Sequence, residues 1–366
     1  MKHVIVCYSK EKWCAVPANN GGCHPTWQWG DELLAGFTQG DADFSSSGHQ
    51  VNNNKPFVSC LARSLDGGET WTSWQPEHYQ SEQCDHNLPA APPQTLTAAI
   101  DFTHPNLVIR VEGNGYHGNS GCQWFYSLDR GATWAGAFDF GHLMQHPELK
   151  DSQFTARTAY LVESAHECLF FLSVRAIDIG KHAISQAEKA FLARTRDGGR
   201  SFQFVSWIVP PADPFRAVMP SPVRLTAGNM VTAVRRRDGD RCWIDAYATV
   251  DHGIHWAFHA KIGETGAHNG NPPALIQLRD KRLCCVFGNR DHGLILAKYS
   301  SDKGRSWLRT QMVRDDMLSI NGYPDIGYPR LFQRTDNRLV AVYFWCSPEK
   351  PQTHIAATIF DPPASI

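Results

Sequence analysis

The octet SLDGGETW at residues 64–71 recurs in altered form four more times along the chain. The other copies are SLDRGATW at 127–134, TRDGGRSF at 195–202, TVDHGIHW at 249–256 and SSDKGRSW at 300–307. All five share the template [ST]-x-D-x-G-x-x-[WF], and successive copies begin 63, 68, 54 and 51 residues apart. A pattern that returns at such intervals indicates a fold built from one repeated unit.

Each position of the template has a physical role in a tight turn. The aspartate can accept hydrogen bonds from turn amides, and the glycine can adopt a positive φ that other residues avoid. The aromatic residue then packs on the sheet and holds the turn in place. We therefore expect the octets to be structural and none of their aspartates to be catalytic.

Short apolar runs broken by Gly and Asp turns surround each octet and predict β-strands. Around the fourth copy, the predicted strands are 218–225, 230–235, 243–249 and 256–262. After the fifth copy, a unit without an octet has three predicted strands, at 328–333, 339–345 and 354–360. The N-terminal run at 3–9 supplies the missing fourth strand, which joins the chain ends and removes exposed sheet edges.

The octets resemble the Asp-box, or BNR, repeats of sialidase-like β-propellers, in which the box lies between the two outer strands of a blade. The resemblance covers nearly the whole chain. It implies an all-β fold, a β-propeller of four-stranded antiparallel blades. We count six blades, with seven left open by the long spacings, and assign residues 1–366 to a single β-propeller domain.

Composition excludes several classes of partner. The formal net charge is −1 and the pI is about 7.0, whereas binding to nucleic acid needs a basic surface. No apolar run approaches the roughly 18 residues of a membrane span, so we expect no membrane partner. We expect a monomer.

The cysteines and the N-terminus bear on localisation. The eleven cysteines are odd in number and include no C-x-x-C pair, which predicts mostly reduced, buried thiols. The apolar stretch at the N-terminus is too short for a signal peptide. We therefore expect a cytoplasmic protein, or a secreted one if a leader has been removed.

A sialidase-like glycoside hydrolase is one interpretation of the resemblance. A sialidase needs three arginines on the substrate carboxylate, a Tyr nucleophile activated by a Glu, and an Asp acid/base. Arg290 and Arg330 are candidates for two of the arginines, and Tyr328 for the nucleophile. The place of the first arginine holds VPANN at 16–20, no arginine precedes Arg63, and no Glu partner is evident. This interpretation is therefore the alternative.

The order of His104, His117, Tyr160 and Arg175 resembles the β-propeller polysaccharide lyases, namely the ulvan lyases and the rhamnose–glucuronate lyases. Those enzymes use two histidines, then a tyrosine, then an arginine some fifteen residues later. The resemblance implies that these four residues are catalytic, with His86 as a rival for the first histidine. It implies β-elimination at the uronate C5, which leaves a 4,5-unsaturated uronate.

This chemistry suits the residue types. Arg175 and one histidine would neutralise the carboxylate, and His117 or Tyr160 would take the C5 proton. Aromatic faces and guanidinium groups suit saccharides and anions. The predicted substrate-binding residues are therefore His86, Asn19, Trp29, Arg290, Tyr328 and Arg330. By contrast, we expect the triplet of Arg235, Arg236 and Arg237 to be a solvated strand end with at most one functional arginine.

The expected partner is thus a uronate-containing oligo- or polysaccharide. A non-catalytic glycan-binding propeller is the third interpretation, because a fold does not by itself imply catalysis. We expect no cofactor. A structural metal ion stays open, although the spacing of His268, Cys284 and His292 is not diagnostic of one.

Overall fold

The computed structural model describes residues 1–15, 27–77, 92–113, 122–155, 158–176, 188–319 and 321–365. Their strands form six antiparallel sheets, which are the blades of a six-bladed β-propeller. The architecture and the count of six that the octets predict are both confirmed.

The blades take their strands in chain order. Blade 1 contains β2 (Lys12–Ala15), β3 (Trp27–Trp29), β4 (Glu32–Asp41), β5 (Val58–Ser64) and β6 (Thr72–Trp74). Blade 2 contains β7 (Val108–Gly113), β8 (Cys122–Ser127) and β9 (Ala135–Phe138), followed by a 3-10 helix (Gly141–Gln145). Blade 3 contains β10 (Ser152–Phe154), β11 (Ala159–Val162), β12 (Cys168–Ala176), β13 (Lys189–Thr195) and β14 (Gln203–Trp207).

The second half of the ring is more regular. Blade 4 contains β15 (Arg216–Thr226), β16 (Asn229–Asp238), β17 (Arg241–Thr249) and β18 (Ala257–Glu264). Blade 5 contains β19 (Ala274–Gln277), β20 (Leu283–Asn289), β21 (Leu294–Ser300) and β22 (Arg309–Arg314). Blade 6 contains β23 (Gly327–Gln333), β24 (Leu339–Trp345), β25 (His354–Phe360) and, outermost, β1 (Lys2–Cys7).

The N-terminal strand closes the ring. β1 pairs antiparallel with β25, with Lys2 opposite Ile359 and Ile5 opposite Ala356. Blade 6 therefore has the strand order β1-β25-β24-β23, and both ends of the chain meet in one sheet. The predicted closure is confirmed.

The octets form tight turns held by side-chain hydrogen bonds. In the first copy, the Asp66 carboxylate accepts hydrogen bonds from the Thr70 amide (2.9 Å) and hydroxyl (2.6 Å). The Gly68 amide donates to the Ser64 hydroxyl at 2.7 Å. Gly68 has φ +90°, and a Cβ there would lie 2.9 Å from a methyl of Val340 in blade 6. Only glycine fits both the backbone conformation and the space.

The octets also define the two ends of the ring. Each octet joins the last two strands of its blade, so it lies at the same end of the ring as the turn that leads into the strand before them. The Gly67 amide accordingly donates to the Asp31 carbonyl at 2.9 Å, and the His252 amide donates to the Gly228 carbonyl at 3.0 Å. We call this the box end. The opposite end is where, in blade 4 for example, β15 begins and β16 finishes.

The hydrophobic core lies between neighbouring blades. Trp124 of blade 2, for example, packs with Phe170 and Phe202 of blade 3. The nine cysteines in the described ranges are all free, and all but Cys7 are buried, as predicted for these residues. No helix in the described part of the chain is long and apolar enough to cross a membrane.

Candidate functional site

Three residues with strained backbone lie close together at the end of the ring opposite the boxes. Met219, Asn269 and Tyr328 have φ values of +56°, +69° and +53°, a region that residues other than glycine rarely adopt. The guanidinium of Arg235 contacts all three. Its Nη1 lies 3.2 Å from the Met219 sulfur and 3.3 Å from the Tyr328 hydroxyl oxygen, and its Nη2 donates to the Asn269 carbonyl. Strain of this kind clusters at functional sites.

A second arginine approaches the same loop from the next blade. Arg290 follows β20, and its Nη1 donates to the His268 carbonyl and to the Tyr323 hydroxyl at 3.1 Å. Because His268 and Asn269 are consecutive, the guanidiniums of Arg235 and Arg290 lie within about 10 Å of each other. The two arginines are only 1% and 3% exposed. No carboxylate in the described part of the chain forms an ion pair with either.

Tyr328 is held beside these arginines by its backbone. Its amide donates to Oδ1 of the fully buried Asn271 at 3.0 Å. The preceding Gly327 has φ +121°, and a Cβ there would overlap with the Asn271 side-chain oxygen. The Tyr328 ring packs on Met219 and on Phe344, with a centroid distance of 5.6 Å to Phe344. The phenol oxygen is therefore fixed next to Arg235.

A buried aspartate orients a histidine at the same end. The Asp325 carboxylate is fully buried and lies 2.6 Å from Nδ1 of His49. Its other oxygen accepts hydrogen bonds from Trp13 (2.8 Å) and Thr353 (2.7 Å). Burial on its own raises the pKa of Asp325, but His49, Thr353 and Trp13 outweigh it and leave that pKa lowered. Asp325 therefore remains ionised.

Tyr323 connects this pair to the arginines. Its ring centroid lies 5.3 Å from that of His49 and 5.5 Å from that of His268, both edge-on. The Arg290 guanidinium carbon lies 5.4 Å from the same centroid. The His49 imidazole and the buried Arg290 guanidinium therefore both pack against the Tyr323 ring.

Two other buried arginines at this end, Arg236 and Arg216, already have acidic partners. Arg236 contacts Asp213 at 2.7 Å and Asp245 at 3.5 Å. Arg216 forms a buried ion pair with Glu188. The expected solvated strand end is therefore wrong for Arg235 and Arg236, each 1% exposed, because Asn269 covers the first guanidinium and Asp213 and Tyr247 cover the second.

The structure brings several predicted residues to this end of the ring. Arg290 and Tyr328 lie in the site itself. Arg330 follows on the same strand as Tyr328, and its buried guanidinium donates to the Pro329 carbonyl at 3.2 Å. Arg175 lies near the end of β12, at the same end of blade 3, and is 4% exposed.

Trp29 and His104 lie instead at the box end. The Trp29 indole donates to the Pro105 carbonyl at 2.7 Å, and the Asn106 carbonyl accepts from the amide of Arg130, an octet residue. His104 belongs to the same turn, in which the Leu107 amide donates to its carbonyl at 3.0 Å. The length of the blades therefore separates both residues from Arg290 and Tyr328.

Tyr160 lies in the core between blades. It is 4% exposed, and its hydroxyl oxygen accepts hydrogen bonds from the Ile109 amide (3.1 Å) and the Trp27 indole (3.3 Å). Burial raises its pKa well above the usual value. It pairs with Phe170, five residues from Arg175 on β12, which is about 17 Å along a strand. This placement does not support Tyr160 as a base acting beside Arg175.

The remaining predicted residues are not placed. His86, His117 and Asn19 lie outside the described residues. Within the described ranges, no group of three or more His, Cys, Asp or Glu side chains could hold a metal ion. Of the open metal candidates, His268 packs on Tyr323 and Cys284 is a core thiol.

Sequence reasoning missed the central role of Arg235, and it missed His49 and Asn271. Arg235 ends a strand that the sequence does predict, and in the structure it lies opposite Val218, next to Met219. No sequence signal points to His49, because it lies in a loop and its hydrogen-bond partner, Asp325, is 276 residues away.

Comparison with known proteins places the fold. No family model and no curated protein sequence matches this chain. Among solved structures, a Hadza microbial sialidase aligns over 97% of this chain, with a TM-score of 0.58 and 14% identity, and this chain spans 66% of that one. The NanB sialidase from Streptococcus pneumoniae aligns over 98%, with a TM-score of 0.56 and 10% identity, and 70% of its chain is covered.

A Penicillium chrysogenum α-L-arabinanase complexed with arabinobiose aligns over 99% of this chain and 98% of its own, with a TM-score of 0.55 and 10% identity. At these identities the likeness establishes the propeller fold.

Proposed function

We propose that this protein is a glycoside hydrolase acting on glycans that carry a carboxylate, at the end of the propeller opposite the boxes. The pair of Arg235 and Arg290 carries the proposal. Both guanidiniums are buried, converge on adjacent carbonyls and have no acidic partner in the described part of the chain. Burying a cation without a counter-charge is costly, so such a site favours an anionic ligand, and guanidinium groups suit carboxylates.

Tyr328 supplies the nucleophile in this proposal. The Arg235 guanidinium donates to its phenol oxygen at 3.3 Å, and a positive charge at that distance favours negative charge on the oxygen. A tyrosine nucleophile is the established variant of carboxylate-based glycosidase chemistry in sialidases. The likeness in fold to two sialidases and an arabinanase supports a glycan substrate.

The proposed substrate class is acidic glycans in general rather than sialic acid alone. A sialidase activates its tyrosine with a glutamate. Here the side chain that packs on Tyr328 from β15 is Met219, a thioether that accepts no proton. We therefore include uronic acid residues among the candidate substrates.

Uronate β-elimination is a second candidate. It needs a neutralised carboxylate and a base, and His49 beside Arg290 offers an imidazole Nε2 with no hydrogen bond in the described residues. The lyase residues predicted from sequence would then be replaced by His49 and the two arginines. Ulvan and rhamnosyl-glucuronate oligosaccharides are the substrates that test this candidate.

The test is a product screen. The protein is incubated with sialyl-lactose, with glucuronate-terminated oligosaccharides and with ulvan, and new reducing ends and ultraviolet absorbance are followed together. Reducing ends without absorbance support hydrolysis, whereas both together support elimination. If neither signal rises and none of these glycans binds, both candidates are rejected. Binding without turnover rejects catalysis and favours a glycan-binding propeller.

Two variants connect the activity to the site. Arg235→Lys and Arg290→Lys keep the positive charge but lose the planar guanidinium, which can donate two parallel hydrogen bonds to a carboxylate. Each variant is therefore expected to raise KM about tenfold or more. Arg224→Lys is the matched control, because Arg224 lies on β15 toward the box end and already pairs with Glu163. If Arg224→Lys changes KM as much as the other two, the site is wrongly placed.

A further inference from the structure

Resting on the proposed function, we infer that His49 is the proton-transfer residue of this site and that Asp325 is its positioning residue. A sialidase would use an aspartic acid to protonate the leaving oxygen. The structure points to an imidazole for this task, supplied by blade 1 and oriented by the start of blade 6.

The geometry of the pair leaves one ring nitrogen available. Nδ1 of His49 lies 2.6 Å from Oδ1 of Asp325, so the ionised carboxylate keeps a proton on Nδ1. The other ring nitrogen, Nε2, has no hydrogen-bond partner in the described part of the chain. The His49 side chain is 32% exposed, whereas that of Asp325 is fully buried.

Asp325 is held so that it cannot turn away from His49. Its Oδ2 accepts hydrogen bonds from the Trp13 indole, the Thr353 hydroxyl and, at 3.2 Å, the Gln50 amide. These three donors come from β2, from the segment before β25 and from the residue after His49. Oδ1 is thereby left to the imidazole. A buried carboxylate with one oxygen tied to three donors and the other to a histidine is the arrangement expected of a positioning residue.

The imidazole ring is also fixed toward the arginines. It packs edge-on against Tyr323 at 5.3 Å and Phe344 at 6.1 Å. Tyr323 accepts a hydrogen bond from Arg290, and Phe344 packs on Tyr328. A ligand carboxylate on the arginines would therefore bring its glycosidic bond near both the phenol oxygen and Nε2.

The proton balance is complete without a further reagent. The Tyr328 phenolate oxygen bonds to the anomeric carbon, while the bond from that carbon to the leaving oxygen breaks. The Nε2 proton of protonated His49 passes to this oxygen. Water then attacks the anomeric carbon, gives its proton to neutral His49 and releases Tyr328 as the phenolate. One water is consumed, and both residues return to their starting charges.

The test compares leaving groups. An acid catalyst matters most when the leaving group is a poor one. His49→Ala is expected to lower kcat on sialyl-lactose about a hundredfold or more, and on 4-methylumbelliferyl sialoside less than tenfold. If the screen identifies a glucuronide instead, the corresponding glucuronide pair is used. His142→Ala, an exposed histidine on the 3-10 helix, is the matched control and should change neither rate.

Two further measurements separate positioning from folding. Added imidazole should restore part of the His49→Ala activity and none of the activity lost by Arg235→Lys. Asp325→Asn should lower kcat with KM nearly unchanged, and it should lower kcat no further in the His49→Ala background. Thermal midpoints of all variants are recorded, and only variants that remain folded at the assay temperature are compared.

The inference is overturned if His49→Ala keeps its rate on sialyl-lactose, or loses the same factor on both substrates. It is also overturned if Asp325→Asn lowers kcat equally with and without His49. Both results require an active wild-type enzyme, whereas failure of the proposed function appears earlier, as a wild-type protein that cleaves none of the glycans in the screen.

Discussion

The side-chain oxygen of Asn271 accepts a hydrogen bond from the backbone amide of Tyr328 at 3.0 Å. This bond connects the loop before blade 5 to the first strand of blade 6. Asn271 is fully buried, and Tyr328 has a positive φ that its own side chain disfavours. The hydrogen bond therefore stabilises a strained residue at the centre of the site.

We predict that Asn271→Ala weakens both the fold and the binding of an acidic glycan. A buried amide without a partner costs about 1–3 kcal/mol, and Tyr328 would no longer be held beside Arg235. Denaturant unfolding and titration with sialyl-lactose measure the two effects. The control is Asn229→Ala, because the Asn229 side-chain amide donates to the Thr226 hydroxyl at a box-end turn. Full affinity in Asn271→Ala would show that Tyr328 does not need this bond.

Tyr160→Phe distinguishes a structural tyrosine from a catalytic one. Removing the hydroxyl leaves the Ile109 amide and the Trp27 indole without their acceptor, so we expect a loss of about 1–3 kcal/mol in the free energy of unfolding. Activity per folded molecule should stay within a factor of two. Tyr299→Phe is a comparison of the same kind, because that buried hydroxyl bonds Gln311. Loss of activity in folded Tyr160→Phe alone would restore this tyrosine as a catalytic base.

His354 makes the stability of blade 6 depend on pH. Burial lowers its pKa to about 4, with Arg314 and Lys350 contributing, although the Gln352 carbonyl acts the other way. The unfolded chain binds this proton near pH 6.5. The stability contributed by neutral His354 is therefore complete above pH 6.5 and is lost as the pH falls to about 4, by about 3 kcal/mol.

The measurement is the free energy of unfolding at several pH values between 7 and 4. His354→Gln should reduce its slope over that window. His142→Gln changes an exposed histidine and should leave the slope as it is. Parallel curves for His354→Gln and the native protein would contradict the assignment.

The octet aspartates act in a lower pH window. Partial burial raises the pKa of Asp66, but hydrogen bonds from Thr70 and Ser64 outweigh it and lower that pKa to about 2. The stability from its carboxylate is therefore present above pH 4 and is lost as the pH falls toward 2.

Asp66→Asn should destabilise the protein by about 1 kcal/mol at pH 7, the net value of one hydrogen bond, with glycan affinity unchanged. The difference from the native protein should shrink as the pH falls from 4 to 2. Asp240→Asn, at an exposed aspartate of a hairpin in blade 4, should show no such difference. A pH-independent effect at Asp66 would mean that its charge is not involved.

The fold was predictable because its information is local. The strands expected at 339–345 and 354–360 are observed as Leu339–Trp345 and His354–Phe360, since apolar runs and turn residues define them within a few positions. The octets are local sequence patterns as well, and each one marks a blade, so they helped to predict the number of blades. Ring closure was predictable because the last unit has only three strands, and the N-terminal strand was available as its fourth.

The site was predictable only in part. Arg290 and Tyr328 could be expected at one end of the ring, because they occur where the strands of their blades begin or end. Residue order in the chain does not reveal that His104 lies at the box end and Tyr160 in the core between blades, because alternate strands run toward opposite ends of the ring. The link between His49 and Asp325 exists only after the ring closes, and no periodicity encodes it.

The antiparallel pairing of β1 with β25 also has a mechanical consequence. Lys2 lies opposite Ile359, so the chain leaves both strands at the same end of the sheet. A force applied at Lys2 and Phe360 would then pull on one rung of hydrogen bonds at a time, as in opening a zipper, instead of loading all rungs together in shear. Under tension between these two points, we expect β1 to separate from β25 first and at low force. The ring would then unfold blade by blade, starting from blade 6.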